Sequence, residues 1–410
     1  MVSGLRRPSR AMNPTPFASI TSAPPLGLDL IRTLVGFDTT SRESNLALIH
    51  WVRDYLAREG IESRLTFDDE RRKANLFATL PAQNGNTIEG GIVLSGHTDV
   101  VPVDGQPWDR PPFEATIVGD RLYGRGVADM KSFSGLALAF VPEFLRRGLA
   151  RPLHLALSYD EEVGCVGVRR LIADVRASGV RPAGCIVGEP SGMQVVIAHK
   201  GKRGYRCRVR GREAHSALTS RGVNAVQVAA EIVSFLAQVA RRFRERGGFD
   251  AAYDVPYTTV HTGVIRGGTA LNIVPRDCHF DFEIRYLPFD DPDELFAEVE
   301  AYARRFLPEM HKVDAGTYIA FDALSAMPGL DTRGESEIAA LGRSLAGADD
   351  HGKVSFGTEA SLFHDAGIPA IICGPGHIAQ AHQPNEWVAI DQLQRCEAFM
   401  RRLADRIAPA

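Results

Sequence analysis

The sequence predicts an α/β protein: a mostly parallel sheet, interrupted by an inserted α+β domain of ferredoxin-like order. Three observations carry this. Short continuous apolar runs alternate with helical stretches up to about residue 200, as in a sheet covered on both faces. After Lys200 the strands alternate instead, and the element order becomes β-α-β-β-α-β. The 410 residues are enough for two domains with a large core.

The first elements are helical. Residues 29–58 carry Leu30, Ile31 and Leu34, then Leu46, Ile49, Val52 and Leu56, at helical spacing. Apolar runs at 75–80, 91–95, 153–158, 185–187 and 370–373 read as buried strands, with helices over 134–147 and 167–178 between them. Past Lys200, residues 205–209 alternate like a half-exposed strand. A helix follows at 222–242, strands near 258–263 and 279–286, a helix at 292–306 and a strand near 316–321. Residues 200–315 are taken as the inserted domain, and 29–199 with 316–410 as the first domain.

Bulk properties exclude several classes. Lys and Arg number 47 against 50 Asp and Glu, and no basic stripe is interleaved with aromatics, so nucleic acid is not expected as a partner. No run approaches the ~18 apolar residues of a membrane span. The six cysteines show no CxxC spacing and read as buried free thiols of a reducing compartment. Residues 1–28 contain Arg6, Arg7 and Arg10, no acid, and no apolar core of a secretory signal. They read as a disordered tail on a cytoplasmic protein.

Chemistry-bearing residues gather at strand ends. LHLALSYDEE closes on Glu161 and Glu162. Two adjacent carboxylates ending an apolar strand are costly unless compensated. A divalent metal cluster compensates them, with one as ligand and the other as base. SGHTDV places His97 and Asp99 two apart, pointing the same way in extended chain. LYGRGVADMKS puts Asp129 at a Gly-rich turn, without the GxxxxGK[ST] or GxGxxG of a nucleotide site. IVGEP ends on Glu189, and GPGHIAQAHQPNEW offers His377 and His382 beyond the last strand.

Singly, each has an ordinary structural explanation: an Asx turn, a helix N-cap, a solvated loop acid. Together they supply the N/O donors of two metal ions that share one carboxylate. Each ion then has a His, a terminal carboxylate and the bridge, and one of the acidic pair is left as base.

These blocks bring the sequence close to the M20 family of metal-dependent amidohydrolases and peptidases. SGHTDVVP, LYGRGVADMKS, DEE, GEP, AHKG, GREAHSA, RGVNAV, LNIVP and AHQPNEW look like that family's blocks, in order, across about 29–400. The chain resembles the acetylornithine deacetylase branch in particular.

The resemblance implies that His97 and Glu189 bind one metal, Glu162 and His382 the other, and that Asp129 bridges and is followed by a cis peptide. Asp99 would orient His97, and Glu161 would be the general acid/base. His382 is preferred to His377 because Gln383-Pro384-Asn385-Glu386 follows it as in the family. His215 would reach a partner subunit's site in a homodimer and polarise the scissile carbonyl. Asn272 and Arg285 would bind the substrate α-carboxylate. Gly357, Thr358 and Glu359 match a substrate-side block without assigned contacts, and Tyr286 stands where relatives often carry Pro.

On this basis the first domain is catalytic and the insert is a dimerisation/lid domain. The ions are zinc first, with cobalt or manganese suited to the same donors. The expected substrate is a small N-acylated amino acid. N2-acetyl-L-ornithine, cleaved to ornithine and acetate in arginine biosynthesis, leads that class. An aminoacylase, a succinyl-diaminopimelate desuccinylase or a carboxypeptidase would share every metal residue.

Overall fold

A computed structural model describes residues 25–409. The tail expected over 1–28 falls outside the described residues up to position 24, and its end, Leu28, opens the helix Leu28–Val35.

Among the described residues, the larger sheet has nine strands. Its order is Ser63–Phe67, Ala74–Leu80, Leu153–Ser158, Ile92–His97, Gly184–Pro190, Ala370–Gly374, Val196–His199 and Leu330–Asp331, with Gly352–Val354 alongside Val196–His199. The four strands from Leu153–Ser158 to Ala370–Gly374 run parallel. Antiparallel pairs lie toward the edges.

The central strands are buried along their whole length, which explains why they read as continuous apolar runs. Leu76, Leu94, Leu155 and Ile186 pack on one face with Ile31, Phe133, Phe399 and Leu403. Phe77, Val93, Ala156 and Val187 pack on the other with Val168, Leu171 and Phe363. The helix Lys131–Ala139 lies so close to the sheet that a Cβ at Gly188 would sit 1.9 Å from Phe133 Cγ. One at Gly96 would sit 2.6 Å from Ser134 Oγ. These glycines set the depth of the helix beside His97 and Glu189.

The smaller sheet has the order Thr259–Gly267, Asp277–Tyr286, Gly201–Arg210, Tyr318–Met327, all antiparallel. The helices Ala225–Arg246 and Pro292–Arg304 cover the face carrying Tyr205, Cys207, Val209, Phe280, Phe282 and Ile284. Asp277–Tyr286 alternates buried and half-buried positions, the period-two pattern of a sheet with one packed face.

The fourth strand ends at Met327, and the chain rejoins the larger sheet at Leu330. A boundary at 315 therefore falls a full strand short. This strand is half exposed and shifts register between Ala323 and Ser325, so no apolar run marks its length. All six cysteines are buried and free. Among the described residues, no helix is long and apolar enough to cross a membrane.

Candidate metal centre

The carboxyl ends of the parallel strands converge. His97 is the last residue of its strand, and its Nδ1–H donates to the Asp99 carbonyl at 2.9 Å. This leaves Nε2 aimed at Asp129 Oδ1, 2.9 Å away, and at Glu189 Oε1, 3.7 Å away. A proton held on Nδ1 by a backbone acceptor frees Nε2 as a ligand. On the other side, His382 Nε2 lies 3.2 Å from Asp129 Oδ2 and 3.0 Å from Glu162 Oε2. Asp129 thus offers one oxygen to each imidazole. The peptide bond from Asp129 to Met130 is cis.

Local structure fixes the acidic pair. The strand ends at Ser158, and Glu161 and Glu162 lie in the turn beyond it. The Glu161 amide donates to Asp99 Oδ1 at 3.0 Å and the Glu162 amide to Asp99 Oδ2 at 3.3 Å. The Ser41 hydroxyl donates to Asp99 Oδ2 at 2.8 Å. Asp99 therefore organises the turn as well as standing beside His97. The Cys165 thiol donates to Glu161 Oε1 at 3.2 Å. Asp160 pairs with Lys73. Among the described residues, no Lys or Arg pairs with Asp129, Glu161, Glu162 or Glu189.

The electrostatics follow from that imbalance. Burial pushes the Glu161 carboxyl up to about 8. Burial, helped by the Asp129 charge, takes Glu162 to about 7. Glu189 is raised well above its ordinary value for the same two reasons. Burial also works to raise Asp129, but hydrogen bonds with His382 and His97 outweigh it and hold the group below its usual range. Hydrogen bonds with Asp129 and Glu162 lift His382 to about 10. So many buried acids on two imidazoles, without a basic side chain among them, fit a cationic guest of high charge. Two overlapping groups, His97 with Glu161 and Glu189, and His97 with Asp129 and Glu162, bring ligand atoms within 4.8 Å of one another.

This has a measurable consequence. Glu161 and Glu162 have folded pKa values raised above 4.5, and His382 above 6.5. Each favours folding fully below its unfolded value, and that gain is lost as pH rises through the folded value. Metal-free protein, prepared with chelator, is expected to lose stability between pH 5 and 9, chiefly through Glu161 and Glu162, since solvent screens the half-exposed His382. Its Tm by calorimetry should fall over that interval, and added metal should raise Tm more at pH 8.5 than at pH 5.5. A metal-free Tm that climbs with pH would count against this account.

The remaining predicted residues lie on the smaller sheet. His215 belongs to a two-residue strand, Ala214–His215, paired with Ile273–Val274, so it stands beside Asn272. Its exposed imidazole accepts a hydrogen bond from the Ala217 amide. Arg285 donates to Glu283 at 2.8 Å. Among the described residues, none of the three touches the His97–Asp129 cluster.

Glu359 is fully buried and accepts from the Ser95 and Ser158 hydroxyls, each at 2.6 Å, so it ties two strand ends together. Glu386, the acid in the block that follows His382, is also buried and binds the Asp129 loop. Its only sequence signal was its place in the HQPNEW block.

Residues 93–406 match peptidase family M20/M25/M40. The chain belongs to this family. The acetylornithine deacetylase of Pasteurella multocida, a relative, is 31% identical over 373 residues, covering 90% of this chain and 94% of that protein. Among solved structures, an aminopeptidase of Bacillus cereus matches with a TM-score of 0.73 at 19% identity, covering 93% of this chain and 98% of that one. A Bacillus subtilis M20 protein described as a dinuclear metal binding peptidase matches at 0.64 and 14%, covering 93% and 98%. This M20 chain is a metallo-amidohydrolase by family, with the family's fold and a candidate metal site at the strand ends.

Proposed function

We propose that this M20 protein is a deacetylase that hydrolyses N2-acetyl-L-ornithine to ornithine and acetate. The observation that carries the metal assignment is the position of Asp129, with one carboxylate oxygen toward each imidazole. On this reading His97, Glu189 and Asp129 hold one divalent ion, and Glu162, His382 and Asp129 hold the second, zinc or cobalt. The substrate class rests on the relative that shares 31% identity over 90% of the chain.

Bound ions would supply Lewis acidity and a water acidified toward neutral pH. The chain's own groups do the rest. Glu161 takes a proton from the attacking water, whose oxygen bonds to the acetyl carbon. The C–N bond then breaks, and Glu161 returns the proton to the departing α-amine. His215, acting across a homodimer, donates to the developing oxyanion. Asn272 and Arg285 hold the substrate carboxylate, Arg285 by its planar fork. In this reading the protein is a cytoplasmic enzyme of arginine biosynthesis.

A substrate panel tests the assignment. With zinc or cobalt added, kcat/KM for N-acetyl-ornithine should exceed that for N-acetyl-methionine and succinyl-diaminopimelate by at least tenfold, about 1.4 kcal/mol of transition-state preference. A clear preference for either competitor, or for a dipeptide, would move the protein to another M20 activity.

A further inference from the structure

The two halves of the centre are built differently. His97 and Glu189 sit on strands buried between neighbours, and their positions follow from the sheet itself. His382 lies in a loop, its side chain is 50% exposed, and it adopts a left-handed φ of 61°. A non-glycine residue rarely holds that conformation unless its surroundings impose it. Among the described residues, its imidazole pairs only with Asp129 and Glu162. Something else must fix this loop.

The candidate is a buried ion pair that no step above uses. Arg125 and Glu386 are each 1% exposed and meet at 2.6 Å. Glu386 Oε2 also accepts from the Gly126 amide at 3.1 Å. Oε1 accepts from the amides of Ala128 at 2.8 Å and Asp129 at 3.1 Å. One carboxylate therefore clamps the loop that carries Asp129. Arg125 reaches the other way: its Nη1 donates to the Gln383 carbonyl at 3.4 Å and its Nη2 to Gln106 Oε1 at 2.7 Å. Gln106 in turn donates to the His382 carbonyl at 3.3 Å. Asn385 closes the loop on Asp109 through two further bonds, at 2.8 and 3.0 Å.

We propose that the Arg125–Glu386 pair is a positioning device that joins the Asp129 and His382 loops and sets the affinity of the His382 half of the metal centre. The His97 half depends on it only through the shared Asp129. Removing a buried pair's partner strands a charge and frees the backbone amides it held. Outer partners of ligands commonly change metal affinity by about 10–100-fold.

The inference rests on the dinuclear reading, and metal counting separates the two. Full-length wild-type protein, dialysed against a fixed free zinc concentration, should retain two ions per chain by elemental analysis. One ion or none in the wild type would overturn the dinuclear reading. Glu386→Gln should retain one, with the second released at least tenfold more readily in a chelator competition. Arg125→Lys keeps the charge but not the fork, and should weaken the same ion by a smaller factor if Glu386→Gln does not fold. Gln106→Ala, which removes the bond to the His382 carbonyl together with the acceptor for Arg125 and Trp108 but leaves the Arg125–Glu386 pair, should act in the same direction. Two ions of unchanged affinity in folded Glu386→Gln or Arg125→Lys, or equal loss of both, would overturn the proposal.

Discussion

Glu161→Gln is expected to lower kcat by about 10²–10⁴-fold, the usual contribution of a positioned acid/base, with metal content unchanged. The substitution preserves shape. The backbone amide at 161 still donates to Asp99, so the turn holding Glu162 stays in place. What is lost is the ability to take a proton and return it. The residue is half-buried, and withdrawal of its carboxylate from water pushes its pKa up to about 8. Bound cations would draw that value down again, toward the working range of a general base. Steady-state kinetics on N-acetyl-ornithine, paired with elemental analysis, gives the readout: kcat falls and KM changes little. Full turnover with both ions present would remove Glu161 from its role.

Asp129→Ala should be more drastic, because one side chain serves both halves. His97 and His382 each lose a partner at 2.9 and 3.2 Å, and Glu162 and Glu189 lose the charge that lies between them. The expected result is metal content well below one ion per chain and activity reduced beyond about 10⁴-fold. The fold favours the ionised Asp129 through its hydrogen bonds to His97 and His382, so metal-free Asp129→Ala should also be less stable than metal-free wild type at pH 8. This contrasts with the selective loss expected for Glu386→Gln. Retention of two ions would show that Asp129 is not the bridge.

Much of this was legible in the sequence for a physical reason. A polar group at the end of a parallel strand follows an uninterrupted apolar run, so the candidate ligands His97, Glu162 and Glu189 each announce themselves by interrupting hydrophobicity. Asp129 stood out by its Gly-rich turn, and His382 only through its flanking block.

What stayed hidden has no such contrast. The strands Val196–His199, Leu330–Asp331 and Gly352–Val354 are short and defined by pairing with distant segments. Ser41 and Glu359 act through hydrogen bonds to residues 58 and 201 or more positions away. No local periodicity reports a partner so distant. The end of the inserted segment escaped for a related reason: a strand near 316–321 was legible, but its continuation to Met327 is defined only by pairing with Gly201–Arg210.

The two passages between the sheets are side by side. Leu330 pairs with His199 in one sheet, and Met327 pairs with Lys202 in the other. Residues 201–327 therefore leave and return through a single doorway, as a drawer slides from a cabinet. Adjoining ends let such a segment vary between them, while Tyr253 and Leu287 tie it to the core beneath the frame that carries His97, Asp129, Glu162, Glu189 and His382.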